Sequence, residues 1–389
     1  MIPYGKHHID EEDIEAVVNV LRSGRITQGP VVEEFENSIA DYTGAKYAVA
    51  VSTGTSALHL ATKVAGISEG DALVTSPITF VASANAAHYN GGQALFSDID
   101  SSTVNLSVEK LPDVLSSNKN VKALVPVHFA GLPCDIERIR SITGEDIRII
   151  EDAAHALGAN HNDNTKVGAC QYSDMTIFSF HPVKAIASGE GGLITTNDEG
   201  MYQRLLRLRS HGINKLDDPF LYTEQSKTNG QQNQWYYEMQ ELGFNYRITD
   251  IQCALALSQL KKIDRFISRR RQLARQYDEA FRGLEFCRPA QKEGRDISAH
   301  HLYVLRIDFP ALGITRPQFI DKLGEKDIGI QVHYIPVPAQ PFYKQSGHDE
   351  THYPNAMAYY NECVSIPLFY DLTDAEQEHV IETIKNLVR

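Results

Sequence analysis

The sequence SFHPVK at residues 179–184 is followed, three residues later, by SGEGG at residues 188–192. This stretch joins two apolar runs that have the pattern of short buried strands, at 175–180 and 192–196. In α/β enzymes the loops after strand ends carry reactive groups, and glycine-rich turns allow close backbone approach. Lys184 in such a loop would be poorly solvated, which lowers a lysine pKa towards the neutral amine that forms a Schiff base. The alternative is an ordinary solvated surface lysine.

Upstream of this loop, short runs rich in β-forming residues alternate with helical stretches. Strands are predicted at 47–51, 72–75, 94–96, 123–127 and 147–150, and helices at 10–23, 31–42, 56–64, 81–88, 108–115 and 136–142. Asp10 is the expected N-cap of the first helix, and the segment 24–30 ends that helix. The alternation is typical of βα units and predicts an α/β fold with a mainly parallel sheet.

The pattern changes near Thr249. A helical run extends from 249 to about 281, followed by strands at 302–307 and 329–334 and helices at 316–323 and 374–388. We predict a large α/β domain at residues 1–250 and a smaller α+β domain at 251–389, and the N-terminal helix is a candidate to pack on the smaller one. The polar segment 214–240 is long for a connection, which indicates a functional loop or a mobile one.

Composition and charge narrow the possible partners. The 389 residues, 42% hydrophobic and 22% charged, are enough for one large and one smaller domain. A net charge of −13 argues against a nucleic-acid or anionic-membrane partner. No apolar run is long enough to span a bilayer and no secretion signal is recognisable, so we expect a cytoplasmic protein. The scattered cysteines are expected to be free buried thiols: Cys134, Cys170, Cys253, Cys287 and Cys363.

Small polar residues follow the first strand, in the sequence STGTSALH at 52–59. Gly54, Thr55 and Ser56 begin a predicted helix, whose free N–H groups and hydroxyls can hold a phosphate. The same pattern is equally typical of an ordinary helix N-cap. From the local sequence both interpretations stay open.

Two acids and a histidine follow the strand at 147–150, in the sequence IIEDAAHA at 149–156. Asp152 can pair with the protonated nitrogen of a heteroaromatic cofactor. The alternative is a helix-start acid with a packed histidine, His155. Because no second cluster has matching ligand spacing, we predict no metal site.

Phe80 follows another strand end and can stack on a flat ring, although a plain core phenylalanine is the alternative. The sequence GFNYR at 243–247 can present an amide and a guanidinium to an anion, or simply pack at a helix start. A phosphate cradle, a stacking ring, an acid for a ring nitrogen and a loop lysine are together what pyridoxal phosphate requires. Because these groups come from strand ends of one sheet, we predict a pyridoxal-phosphate site at that edge.

Several motifs carry a family resemblance over essentially the whole chain. They are IPY at 2–4, ITQGP at 26–30, FSFHPVK at 178–184, WYYE at 235–238, GFNYR at 243–247 and IQVHYIP at 330–336. The sequence closely resembles the DegT-type sugar-nucleotide aminotransferases, which are fold-type-I pyridoxal-phosphate enzymes, and within them the branch of pseudaminic acid biosynthesis. This implies an α/β fold similar to aspartate aminotransferase, with a smaller C-terminal domain.

The resemblance also implies residue roles. Lys184 would bond covalently to the cofactor aldehyde, Asp152 would pair with the ring nitrogen, and His155 would lie near the ring 3-oxygen. The other expected cofactor contacts are Gly54, Thr55, Ser56, Phe80, Ser179 and Asn245, the last supplied by the neighbouring subunit of a homodimer. The expected sugar-nucleotide contacts are Tyr4, Gly24, Arg25, Ile26, Thr27, Gln331, Val332, His333 and Tyr334.

The implied reaction transfers an amino group from glutamate to C4 of a UDP-linked 4-keto-6-deoxy-N-acetylhexosamine, in pseudaminic acid biosynthesis. One alternative keeps this chemistry with another sugar, of the perosamine, viosamine, bacillosamine or aminoarabinose type. A sugar dehydratase on the same scaffold would carry histidine in place of Lys184. A non-catalytic regulatory homologue is disfavoured by the joint presence of Lys184, Asp152 and Ser179.

Overall fold

The computed structural model describes residues 1–215 and 219–388 of the chain. Its helices are α1 Glu11–Arg22, α2 Pro30–Thr43, α3 Gly54–Val64, α4 Ala82–Tyr89, α5 Leu111–Ser117, α6 Ile136–Thr143, α7 Glu199–Arg209, α8 Asp250–Leu260, α9 Ile263–Ala280, α10 Arg316–Gly324, α11 Pro341–Gln345, α12 Pro354–Glu362 and α13 Asp374–Leu387. Its strands are β1 Tyr47–Val51, β2 Ala72–Thr75, β3 Gln93–Phe96, β4 Val121–Val125, β5 Arg148–Asp152, β6 Met175–Ser179, β7 Gly192–Thr196, β8 Ile213–Asn214, β9 Lys227–Thr228, β10 Gln231–Gln232, β11 Glu238–Met239, β12 Cys287–Pro289, β13 Tyr303–Ile307 and β14 Cys363–Ile366.

The central sheet of the described chain has seven strands in the order β1-β7-β6-β5-β4-β2-β3. Strand β7 is antiparallel to both of its neighbours, and the remaining pairs are parallel. The strands are nearly continuous apolar runs because helices cover both faces. The predicted α/β fold with a mainly parallel sheet is therefore confirmed.

The register brings distant segments to one edge of this sheet. Gly192 of β7 pairs with Val51 at the end of β1 and with Ser179 at the end of β6. Asp152 ends the neighbouring strand β5 and pairs with Ile177. Because β1, β5 and β6 all end at this edge, the loops that follow them converge there.

A second, antiparallel sheet of three strands, β12-β13-β14, lies in the C-terminal part of the described chain. It packs on α9 and α13 around its own apolar core, which includes Tyr277, Phe281 and Ile384. Helix α1 packs against α8. The proposed boundary between residues 250 and 251 stays a prediction.

The helical run predicted from 249 to 281 is two helices, because helical structure is interrupted between Leu260 and Ile263. Lys262 occupies the break, is 8% exposed, and contacts the carboxylates of Asp10 and Asp13 on α1. The interruption points the side chain of Lys262 inward, where it pairs with Asp13. Sequence periodicity gives no sign of this ion pair, because its two residues lie far apart in the chain.

The strand predicted at 329–334 is wrong. Gln331 exchanges two backbone hydrogen bonds with Ser365, at 3.1 and 2.7 Å, while Gly329 N donates to Ile2 O at 2.8 Å. Since neighbouring residues pair with different segments, no continuous ladder forms in the described chain.

The predicted loop at 214–240 contains the short pairs β8–β11 and β9–β10, and its residues 216–218 lie outside the described residues. No helix in the described part of the chain is long and apolar enough to cross a membrane.

Candidate active site

A cavity of about 500 Å³ opens where the ends of β1, β5 and β6 converge. The predicted site residues that line it are Tyr4, Gly54, Thr55, Phe80, Asp152, His155, Ser179, Lys184, His333 and Tyr334. The structure thus brings together residues that lie up to 330 positions apart in sequence.

Lys184 lies in the loop after β6, in a turn closed by the hydrogen bond from its N–H to the carbonyl of His181 at 2.8 Å. Its side chain is partly buried and faces the cavity. Burial lowers the pKa of Lys184 to about 8, although the negative charge of Asp152 acts in the opposite direction. Burial thus brings the neutral amine, which nucleophilic or general-base chemistry requires, to within about one pH unit of neutral pH, although most of the ammonium is still charged at pH 7.

Asp152 is 5% exposed and ends β5. Ser83 Oγ donates a hydrogen bond to Oδ2 at 2.7 Å, and Ala154 N donates to Oδ1 at 3.2 Å. The hydroxyls of Thr79 and Ser83 are 2.8 Å apart, so a short hydroxyl chain supports the carboxylate. Sequence reasoning missed Thr79 and Ser83, because isolated hydroxyls near a helix start carry no distinctive pattern.

The first turn of α3 has both an ordinary helix N-cap and free N–H groups at the cavity. Thr53 is the N-cap and forms a capping box with Ser56, whose hydroxyl lies 2.9 Å from Thr53 Oγ1. Ser56 accordingly does not line the cavity, whereas Gly54 and Thr55 do. Their N–H groups belong to the first turn, where no intrahelical acceptor exists, so they can hold an anion.

Gly54 lies against Ser179. A Cβ at position 54 would lie 2.9 Å from Ser179 Cβ and 3.1 Å from its Oγ. Glycine is therefore required for α3 to begin this close to the end of β6. The close approach puts the serine hydroxyl beside the free N–H groups of the helix.

Histidines form one wall of the cavity. His155 Nε2 is 3.2 Å from Tyr334 Oη, and His333 Nδ1 is 2.8 Å from Ser365 Oγ. His301, which sequence reasoning missed, lies against His155 with ring centroids 4.2 Å apart.

The three imidazoles are neutral. Burial lowers the pKa of His155 and His301 well below the usual range and lowers that of His333 to about 4. The positive charge of Lys184 acts in the same direction on each of them. The wall therefore offers hydrogen-bonding nitrogens without adding charge.

Other predicted residues lie away from the cavity of this chain. Asn245 is exposed, and the exposed turn at Gly24, Arg25, Ile26 and Thr27 is held at the start of α8, where Asp250 N donates to Ile26 O at 3.1 Å. Gln331 is exposed beside Ser365, and Val332 packs into an apolar cluster. Phe80 lines the cavity and is 59% exposed.

A second titratable cluster is formed around Glu151 of β5 by His128, Glu151 and His161, whose candidate ligand atoms lie within 4.8 Å of one another. Cys134 N donates to His128 Nδ1 at 3.1 Å, so the ring proton is on Nε2, which donates to Glu151 at 2.8 Å. That nitrogen has no free lone pair for a metal ion. We interpret the cluster as a buried hydrogen-bond network.

Comparisons with known proteins agree with this geometry. Residues 7–385 match the family described as the DegT/DnrJ/EryC1/StrS aminotransferase family. The chain is 38% identical to the spore coat polysaccharide biosynthesis protein SpsC of Bacillus subtilis, covering 100% of this chain and 97% of that protein. It is 34% identical to the UDP-4-amino-4,6-dideoxy-N-acetyl-beta-L-altrosamine transaminase of Campylobacter jejuni, covering 100% and 98%.

Solved structures are similar over the full chain. Helicobacter pylori PseC, an aminotransferase of pseudaminic acid biosynthesis, has a TM-score of 0.90 at 27% identity and covers 100% of this chain and 99% of that one. A sugar aminotransferase of Streptococcus pneumoniae in its PMP form has a TM-score of 0.89 at 29% identity, with the same coverage. The same protein has also been solved in a PLP form.

The residues present fit such a cofactor. Gly54 lets the free N–H groups of the first turn of α3 lie beside the hydroxyl of Ser179, a set of donors that suits a phosphate. His155 Nδ1 is buried without a partner in the described chain, so a polar ligand atom can satisfy it. The buried carboxylate of Asp152 suits a protonated pyridine nitrogen, and the amine of Lys184, with its lowered pKa, suits an aldehyde.

Proposed function

The chain belongs to the DegT/DnrJ/EryC1/StrS aminotransferase family, and on that premise we propose that it aminates C4 of a UDP-linked 4-keto-6-deoxy-N-acetylhexosamine in pseudaminic acid biosynthesis. The assignment as an aminotransferase is supported by one observation: Lys184, Asp152 and the first turn of α3 line the same cavity. The chain is a sugar aminotransferase whose cofactor is pyridoxal phosphate.

When bound, pyridoxal phosphate supplies an aldehyde that bonds to amines and a ring that withdraws electrons from the bonded carbon. In our proposal Lys184 would hold the cofactor covalently and, as the free amine, would serve as general base. Its lowered pKa, about 8, suits it to accept and return a proton near neutral pH. The expected amino donor is glutamate.

Asp152 would accept a hydrogen bond from the ring nitrogen and favour its protonated state. Its supports are fixed, since Ser83 Oγ and Ala154 N already donate to it. The first turn of α3, at Gly54 and Thr55, and the hydroxyl of Ser179 would hold the phosphate. Phe80 would stack on the ring face, which accounts for the exposure of its side chain.

We propose that the active unit is a homodimer. Asn245 and the 24–27 turn are exposed and lie away from the cavity of their own chain. In a dimer with shared sites they would reach the partner's cavity, where Asn245 would bind the phosphate and the turn would bind the sugar nucleotide. Tyr4, His333 and Tyr334 line the cavity within the same chain and would contact the sugar. The reaction is proposed to take place in the cytoplasm.

Two relatives come from different biosynthetic pathways. The named altrosamine transaminase, at 34% identity, supports the pseudaminic acid pathway. The spore coat polysaccharide protein SpsC, at 38% identity, favours a second candidate, in which the same chemistry acts on another nucleotide-linked 4-keto sugar.

Purified protein with pyridoxal phosphate and glutamate would be incubated with a panel of UDP- and GDP-linked 4-keto sugars, and products would be identified by mass spectrometry and NMR. We expect UDP-4-amino-4,6-dideoxy-N-acetyl-altrosamine from the matching UDP sugar and no product from Lys184→Met. The exposed lysine Lys261 provides the matched control, Lys261→Met, which should remain active. Turnover of a different UDP- or GDP-linked 4-keto sugar alone would select the second candidate, and full activity of Lys184→Met would contradict the proposal.

A further inference from the structure

His301 is a buried cavity residue to which the proposed reaction assigns no role. It is 6% exposed and lies in the loop that leads into β13. Its ring lies 4.2 Å from that of His155, centroid to centroid, with an angle of 38° between the planes. Its Nδ1 is buried without a partner in the described chain. His301 therefore lies in close contact with a residue that lines the proposed cofactor site.

His155 needs a second restraint. The hydrogen bond between its Nε2 and Tyr334 Oη, at 3.2 Å, fixes the position of one ring atom. A single bond of this kind leaves the ring plane free to tilt about that atom, and terminal torsions of histidine are broad. The rings of Phe129 and Tyr334 lie 6.3 Å from that of His155, centroid to centroid, whereas His301 lies at 4.2 Å. As the nearer ring, His301 limits the tilt most strongly and so sets the direction in which His155 Nδ1 points.

His301 is itself held firmly. Its N–H donates to Ala130 O at 2.8 Å, and the buried guanidinium of Arg270 donates to its carbonyl at 3.3 Å. Arg270 Nη1 also donates to Leu368 O at 2.9 Å, which ties this loop to the segment that bonds Tyr4. A backbone anchored on both sides makes the ring of His301 a fixed surface for its neighbour.

We propose that His301 is a positioning residue that holds the imidazole of His155 in the plane from which Nδ1 meets the bound cofactor. The role of this contact in cofactor binding rests on the proposed function, whereas the packing of the two rings is seen in the structure. Both rings are neutral, since burial and the charge of Lys184 lower their pKa values, so they can pack closely without repulsion.

Three variants test the proposal. His301→Asn removes the aromatic face, and His301→Phe keeps it without the nitrogens. His300→Asn is the matched control, because His300 is equally buried, bonds Arg295 O instead of facing the cavity, and has a φ of 47°, which asparagine tolerates. The readouts are the orientation of the His155 ring in crystal structures of the cofactor-free proteins, the Kd for pyridoxal phosphate, and thermal unfolding.

We expect His301→Asn to tilt the His155 ring and to weaken pyridoxal-phosphate binding roughly two- to tenfold, the range of a lost aromatic pair. His301→Phe should retain the ring orientation and stay within about twofold of the wild-type Kd. His300→Asn should leave both readouts unchanged. If His301→Asn does not fold, His301→Leu removes the same aromatic face with an apolar side chain.

An unchanged His155 ring and Kd in the variant that lacks the aromatic face would overturn the proposal, and so would an equal effect of His300→Asn. A wild-type protein that binds no pyridoxal phosphate would instead contradict the proposed function. The ring orientation in the cofactor-free crystals would still decide the role of His301.

Discussion

Replacing Lys184 by methionine should stabilise the cofactor-free protein, by an amount that depends on pH. The folded protein lowers the pKa of Lys184 from its ordinary 10.5 to about 8, mainly through burial. At about 1.4 kcal/mol for each pH unit, this corresponds to at most about 3 kcal/mol of destabilisation at pH 7, where the ammonium is charged in both states. Methionine has a similar length and carries no charge, so it removes this cost.

The sign follows from proton linkage. Between pH 8 and 10.5 the unfolded chain binds more protons at this lysine than the folded chain does, so the wild-type protein gains stability as pH rises. The advantage of Lys184→Met should therefore shrink to about 1.4 kcal/mol at pH 9.5.

Urea unfolding of the cofactor-free proteins at pH 7 and 9.5 measures both values. The exposed residue Lys261 provides the control, since Lys261→Met should give the same small difference at both pH values. A Lys184→Met gain that did not change with pH would refute the reasoning, as would destabilisation by this variant at pH 7.

Two further variants probe the packing around the site. Lys262→Met should destabilise the protein by about 3–5 kcal/mol in urea unfolding, because it leaves the fully buried carboxylate of Asp13 without its ion-pair partner. The control Lys261→Met should destabilise it by less than about 0.5 kcal/mol. Equal effects of the two variants would contradict the role of the buried pair. Gly54→Ala should weaken pyridoxal-phosphate binding about tenfold in fluorescence titrations, because its Cβ would lie 2.9 Å from that of Ser179 and force the first turn of α3 away from the end of β6. An unchanged Kd would contradict the close approach.

The sheet was predictable because its strands are short apolar runs bounded by helices. The predictions at 47–51 and 72–75 coincide with β1 and β2, and the predicted N-cap Asp10 forms a capping box on α1. Such signals are local, since period, cap and turn chemistry lie within a few residues. The strand predicted at 329–334 failed because its apolar pattern is real but its pairing partners belong to different segments.

The candidate site was predictable where its residues follow strand ends. Lys184, Asp152 and Gly54 each occupy such a position, and all three line the cavity. His301 and Ser83 have no such local signal, and only their contacts with His155 and Asp152 show what they support.

The sequence by itself determined which groups this protein carries to the edge of its sheet: the lysine loop at 179–184, the acid that ends β5, and the glycine that begins α3. Only the tertiary structure decided how those groups behave. Register sets Ser179 beside Gly54, burial lowers the pKa of Lys184 to about 8, and the neutral rings of His155 and His301 lie in contact, tilted by 38° to one another. The physical reason is that local periodicity fixes each element, whereas desolvation and close packing depend on residues far apart in the chain.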